Sequence, residues 1–210
     1  GTVQLYVDPA GSDSLNCGIA ATVPFKTWKQ ALDFLPENIM HDVVITGADG
    51  TYSEQGGEDE WGRPVVVDLS KKNVNPLRDA TIPLSTKAAK ITLRGTSEAG
   101  TILNGTTVVA RYSVWAHGVR DRELESMTLT GSYGGIIAHQ GSDVTMYDVT
   151  TSGNSYGRMV ESLSRMEIVR GTTTGNSISG YFIKNGHLQE NDSSLTGNTL
   201  NEMRIYGSSY

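Results

Sequence analysis

The sequence predicts an all-β fold, a parallel β-helix (a solenoid) wound in coils of about 22 residues. Three observations carry that prediction. A small polar cluster recurs on a fixed ruler: "TGSYGG", "SGNSYG", "TGNSIS" and "TGNTLN" place Gly131, Gly153, Gly175 and Gly197 at one constant interval, each preceded by Thr or Ser. Flanking positions keep the same interval: Thr128, Thr150, Thr172 and Ser194 form one column, Ala116, Ala138, Val160 and Phe182 a second, and Trp115, Ile137, Met159 and Tyr181 a third. The composition, with 24 Gly and a hydrophobic share of only 37%, suits a turn-dense chain whose core is one narrow stack. A single such coil has unpaired backbone edges above and below, so its amides are satisfied only when coils stack.

Taken in order, "VQLYVDPAGSDS" reads as a short strand running into a turn. "PFKTWKQALDFLP" sets Phe25, Trp28, Ala31 or Leu32, and Leu35 at helical spacing between two prolines. This amphipathic helix of about two to three turns needs an apolar partner, and the open end of the stack offers one; residues 1–40 therefore read as an N-terminal cap and 41–210 as coils. Strands are expected near 43–47, 64–69, 81–84, 90–94 and 101–111, interrupted by an acidic, Gly-rich surface insertion, "EQGGEDEWGRP". At the repeated corners Gly supplies unusual backbone angles, and Asn154, Asn176 and Asn198 are placed to form a ladder along the stack. Asp49-Gly50, Asn104-Gly105 and Asn185-Gly186 fall at coil corners instead of pairing hairpins. A leucine-rich horseshoe is excluded because its leucine positions hold Thr, Val, Met and Ile. The close at "MRIYGSSY" carries no capping helix, so the coils are expected either to continue in a longer chain or to be covered at that end by another chain or domain.

Charge narrows the function. A formal net charge of −6 and a pI near 5.2 give no basic face for nucleic acid or an anionic membrane. No apolar run reaches the ~18 residues of a membrane span, and the opening "GTVQLYVDPAG" does not read as a signal peptide. The one cysteine, Cys17, excludes an internal disulfide and reads as a small buried thiol, which leaves the redox compartment open.

The segments "YVDPAGSDS…PFKTWKQALDFLP", "VVITGADGTYSE" and "ITLRGTSEAGTILNG" resemble the cap and first coils of right-handed parallel β-helix proteins of the pectin-lyase-like superfamily, especially those of bacteriophage tailspikes and tail appendages. The resemblance implies a homotrimeric, extracellular virion-tail component, alongside other tail proteins, that binds and depolymerises a bacterial surface polysaccharide. A non-catalytic adhesive β-helix of a virion or cell surface is the alternative, and a secreted pectate-lyase-like enzyme the third. Fold does not decide among them. The polygalacturonase pattern of paired aspartates with Gly-His-Gly is missing: the chain has Ala116-His117-Gly118. Glu58-Asp59-Glu60 and the Asp121, Glu123, Glu125 stretch read as solvated charge runs.

The repeat itself yields the candidate site. Its interval stacks His117, His139 and Glu161 on consecutive coils, two residues beyond the Trp115 column and on the same face of the strand. Adjacent coils lie about 4.8 Å apart, bringing His139 and Glu161 within proton-exchange reach. Glycoside cleavage needs two carboxyl groups, and Glu123 or Asp143 is a candidate second member. Trp115, Tyr181, His117 and Tyr156 are the expected sugar-binding residues; no metal and no cofactor is expected. Outward-facing Trp115 and Met159 would suit a subunit contact.

Overall fold

The computed structural model describes residues 1–14, 17–70, 72–74 and 89–206, and the expected strand near 81–84 lies outside them. The chain is a parallel β-solenoid. Sheet I stacks, in order, Val3–Val7, Val43–Gly47, Ile91–Gly95, Arg122–Thr130, Asp143–Ser152, Arg165–Thr174 and His187–Asn191, with Gly50–Tyr52, Thr101–Asn104 and Ser194–Thr196 continuing its corner. Sheet II runs Gly57–Glu58, Pro64–Asp68, Tyr112–His117, Gly134–His139, Tyr156–Glu161, Ser179–Lys184 and Asn201–Tyr206. Parallel strands require crossovers, and here each crossover is the opposite sheet of the same coil. The strand expected over 101–111 stops at Asn104 and turns. Among the described residues one pair departs from the parallel rule: Gly57–Glu58 lies antiparallel to Pro64–Asp68, so the insertion is a hairpin folded onto sheet II.

Side-chain alternation sorts each strand into an inner and an outer set. Leu5, Ile45, Leu93, Leu124, Met146 and Ile168 are in register along sheet I and face the shared core, with Ala116, Ala138 and Val160 opposite them on sheet II. Corners are set by left-handed residues at the repeat interval: Gly131, Gly153, Gly175 and Gly197 have φ between 63° and 70°, and Ser126, Asp148, Arg170 and Asp192 adopt the same region midway along sheet I.

The asparagine ladder forms as expected. The Ser132 amide donates to Asn154 Oδ1 (3.0 Å), the Asn154 amide to Asn176 Oδ1 (3.1 Å) and the Asn176 amide to Asn198 Oδ1 (3.1 Å). Each side-chain nitrogen returns to a carbonyl of the coil before, so the corner's buried groups are paired. Two arginines are also interior. Arg158 donates to the Val149 carbonyl (2.6 Å), and a side chain at Gly171 would collide with it. Arg122 donates to the Arg120 (2.7 Å) and Lys72 carbonyls, and burial pushes its pKa down to about 10.

The helix, α1, spans Trp28–Phe34 and buries Trp28, Ala31 and Leu32. Thr27 caps it, its hydroxyl accepting from the Gln30 amide (3.1 Å), while Asp13 accepts from the Lys26 and Thr27 amides. Trp28 sits edge-on to Tyr52 and so close to Gly47 that a Cβ there would lie 2.3 Å from its ring. Strand Val3–Val7 extends sheet I directly through its pairing with Val43–Gly47.

One expectation from the ruler needs correcting. From Arg122 onward sheet I keeps its interval, but sheet II gains a residue before Ser179: both the Ile178 and Ser179 amides donate to the Ser155 carbonyl. Met159 is therefore in register with Phe182, Arg158 with Tyr181, and Val160 with Ile183. The shift is undone at the next corner, because Arg165 pairs with His187. A one-residue slip exchanges the two faces of a strand, so Phe182 points outward and Tyr181 into the core.

Candidate functional site

The outer face of sheet II builds the site. Val65, Tyr112, Trp115, Ile137, Tyr156 and Met159 form a second apolar cluster, separate from the core, with Tyr133, Ile178 and Phe182 packed against it. Trp115 and Met159, expected as exposed contact residues, are only 2% and 4% exposed. The cover comes from the insertion. The Asp59 carboxylate accepts from the Trp61 amide (2.9 Å), the Arg63 amide (3.0 Å) and Arg63 Nε (2.6 Å), closing a tight turn. Asp59 is buried, so it departs from the expected solvated charge run, while Glu58 and Glu60 on either side of it are exposed. The turn lays Trp61 against Trp115 and His139, both at 6.4 Å between ring centres, with the Arg63 guanidinium 4.4 Å over the Trp61 ring.

His117 and His139 are paired across adjacent strands. Their Nδ1 atoms are 3.4 Å apart. Glu60, from the turn, reaches both: Oε2 is 3.6 Å from His117 Nδ1 and Oε1 is 3.7 Å from His139 Nδ1. The far nitrogen of His139, Nε2, is 3.9 Å from Glu161 Oε2. Burial pushes the His139 imidazole below its ordinary pKa, outweighing the opposing pull of Glu60 and Glu161.

Beside this cluster an open groove of about 300 Å³ runs over the same face, walled by Trp61, Arg63, Arg111, Tyr112, Tyr133 and Glu161, with Tyr156, Met159 and Phe182 completing it. Its rings form a ladder along the solenoid axis: Tyr133 to Tyr156 at 5.2 Å, Tyr156 to Phe182 at 5.3 Å and Phe182 to Tyr206 at 5.4 Å. Arg111 lies 3.2 Å over Tyr133, and its buried Nε has no hydrogen-bond partner.

Of the residues expected from the sequence, His117, His139, Glu161 and Trp115 are brought together, and Tyr156 lines the adjoining groove. Tyr181 is not there: it is fully buried in the core, donating its hydroxyl to Glu190. Glu123 and Asp143 lie on sheet I. Glu123 is paired with Lys90 (2.6 Å) and Thr92 (3.1 Å), and neither faces Glu161. Glu60, Trp61, Arg111, Tyr133 and Phe182 escaped the sequence reading. Glu60 and Trp61 belong to an insertion outside the repeat. Tyr133, Tyr156 and Phe182 sit at three different offsets from their corner glycines, so no single column contains them.

The fold and this face define a parallel β-solenoid with a half-covered aromatic groove beside a histidine–carboxylate cluster. No family model and no curated protein matches the sequence. Among solved structures, the chain is similar to a pectin methylesterase from carrot (15% identity, TM-score 0.47, covering 96% of this chain and 70% of that one). It is also similar to the pectin methylesterase PemA from Erwinia chrysanthemi (11%, 0.41, 89% and 66%) and to a rhamnogalacturonan lyase (14%, 0.35, 97% and 62%).

Proposed function

We propose that the protein recognises an anionic polysaccharide laid along the outer face of sheet II. The observation that carries this reading is the ring ladder from Tyr133 to Tyr206, flanked by Arg63 and Arg111. Sugar rings present flat C–H faces that stack on aromatic side chains, and a guanidinium pairs a uronate or other sugar carboxylate through two parallel hydrogen bonds. Because the ladder follows the stacking axis, it suits an extended chain better than a single small molecule.

Glu161 is the carboxylate among the described residues that wall the groove, and it is the group placed to exchange a proton with the bound chain. Hydrolysis with two carboxyl groups would need a second one across the glycosidic bond, and Glu123 and Asp143 are on the other sheet. With both of those on the other sheet and Glu60 turned toward the two imidazoles, a spike that binds its glycan without cutting it is the second reading. The resemblance of the cap and early coils to tailspike solenoids supports a bacterial surface polysaccharide as the ligand and a trimeric, extracellular tail component as the context.

The test is titration calorimetry with capsular, lipopolysaccharide and pectic glycans of matched length, anionic and neutral. Binding is expected for anionic chains, weakened roughly tenfold (about 1.4 kcal/mol) by Phe182→Ala and by Arg111→Gln. Equal affinity for neutral chains sinks the reading. A reducing-end assay with Glu161→Gln separates cutting from holding, and light scattering at micromolar concentration reads the trimer directly.

A further inference from the structure

We infer that Glu60, His117 and His139 form a binding site for a zinc-class divalent cation, one that ties the insertion to the face of the solenoid. The three donor atoms lie within 4.8 Å of one another. Their closest separations are 3.4 Å between the two imidazole Nδ1 atoms and 3.6 and 3.7 Å from these to the carboxylate oxygens. Donors bonded at ~2.0 to 2.1 Å around a tetrahedral ion stand about 3.4 Å apart; the two imidazole nitrogens already have that spacing, and a single Glu60 oxygen lies within 4.8 Å of both.

The chemistry of the set selects the ion. Two imidazole nitrogens and one carboxylate suit zinc, cobalt or nickel, whereas calcium and magnesium take oxygen ligands. Three protein donors leave a fourth position for water, the ligand count of an open site instead of a closed structural one.

A second feature points the same way. Metal-bound histidines hand their other ring nitrogen to a carboxylate, which fixes the ring, and His139 turns Nδ1 toward Glu60 and His117 and Nε2 toward Glu161, 3.9 Å away. The solenoid supplies the two histidines from paired positions on neighbouring coils, and the Asp59 turn presents Glu60 over them. Trp61 and Arg63 ride on the same turn and line the groove, so occupancy of the site would hold one groove wall in place. The proposal does not depend on the glycan reading, because the ion is recognised without any sugar present.

The test uses the full chain, stripped with a chelator, dialysed, and titrated with Zn²⁺ alone by calorimetry. Co²⁺ serves as an optical probe. One ion per chain is expected, with the visible absorption bands of tetrahedral cobalt and a rise in unfolding temperature on adding Zn²⁺. Glu60→Gln changes an exposed loop residue and should leave the fold intact while weakening affinity more than about 100-fold, and Glu161→Gln should weaken it by about 10- to 100-fold. His41→Ala, an exposed histidine outside the cluster, should bind as the parent does. Absence of stoichiometric uptake overturns the proposal. So does uptake that persists unchanged in the Glu60→Gln/His117→Ala double variant, which would mean that the two imidazoles merely share a hydrogen bond.

Discussion

The outer faces of the two sheets use one stacking geometry for opposite ends. Sheet I carries ion pairs from coil to coil, Lys90 with Glu123 (2.6 Å), Arg94 with Glu125 and Arg170 with Asp148 (2.9 Å), the first half-buried and the last open to solvent. Sheet II carries rings, imidazoles and a methionine in the corresponding columns, and Trp115, Ile137 and Met159 there are nearly inaccessible. The difference lies in the insertion. Register decides which residues share a column, but the Asp59 turn, folded back over one face only, changes that column's surroundings from water to protein. A solenoid thus acquires a site by covering part of a surface that its repeat has already ordered.

Removing the covered column should therefore cost far more than removing the open one. Trp115→Ala takes away a ring that stacks on Tyr112 at 5.3 Å and meets Trp61, His117 and His139. A loss of about 3–5 kcal/mol is expected, as for other buried aromatic truncations, read from denaturant midpoints at constant m-value. A loss below about 1 kcal/mol would mean that the cover is absent in solution. Next comes the corner on which both faces depend. Asn176→Ala would leave the Asn154 amide and the Thr151 carbonyl without their side-chain partner, and orphaned buried groups cost about 1–3 kcal/mol each, so roughly 2–6 kcal/mol should be lost. Both sheets should loosen together, which amide exchange would show as lost protection on each.

These two cases also separate what the sequence reveals from what it conceals. Asn176 was legible because a ladder residue must recur at every coil, and recurrence is visible in a single chain. His117, His139 and Glu161 were legible as one column, and Trp115 as the head of the neighbouring one, for the same reason. Tyr181 misled because one extra residue before Ser179 reverses the facing of that strand, and a compensating deletion after Lys184 hides the slip from any count taken at the corner glycines. Glu60 and Trp61 were illegible: they come from an insertion without periodicity, and its acidity reads as solvation until Asp59 is seen spending its charge on closing the turn. Glu123 and Asp143 read as candidates for the second carboxylate because sequence distance gives no sign that sheet I faces away.

On the open face the expected effects are small. Glu125→Gln removes one partner of Arg94, itself about half exposed, and surface pairs of this kind contribute about 0–1 kcal/mol. The unfolding midpoint should barely move at low salt and not at all at high salt. A loss comparable to that of Trp115→Ala would show that sheet I too is covered, and would erase the contrast between the faces.

Acid sharpens the same contrast with the smallest effect of the set. Asp49, at the solvent-exposed edge of sheet I, accepts hydroxyl hydrogen bonds from Thr96 and Ser97, both 2.8 Å. The Ser97 and Thr96 bonds hold its carboxyl below the usual aspartate value. The folded chain therefore releases this proton more readily than the unfolded chain does, and the unfolded state binds more protons in acid. It follows that the contribution is fully present above the unfolded value of about 3.9 and is lost as the pH falls through the lower folded value. Asp49→Asn should flatten the fall in unfolding midpoint below about pH 4 while leaving the midpoint near neutrality little changed, since an amide oxygen still accepts the same two bonds. If the acid slope is unaltered in that variant, the carboxylate is not held by these hydroxyls in solution, and the acid sensitivity belongs to other carboxylates of the chain.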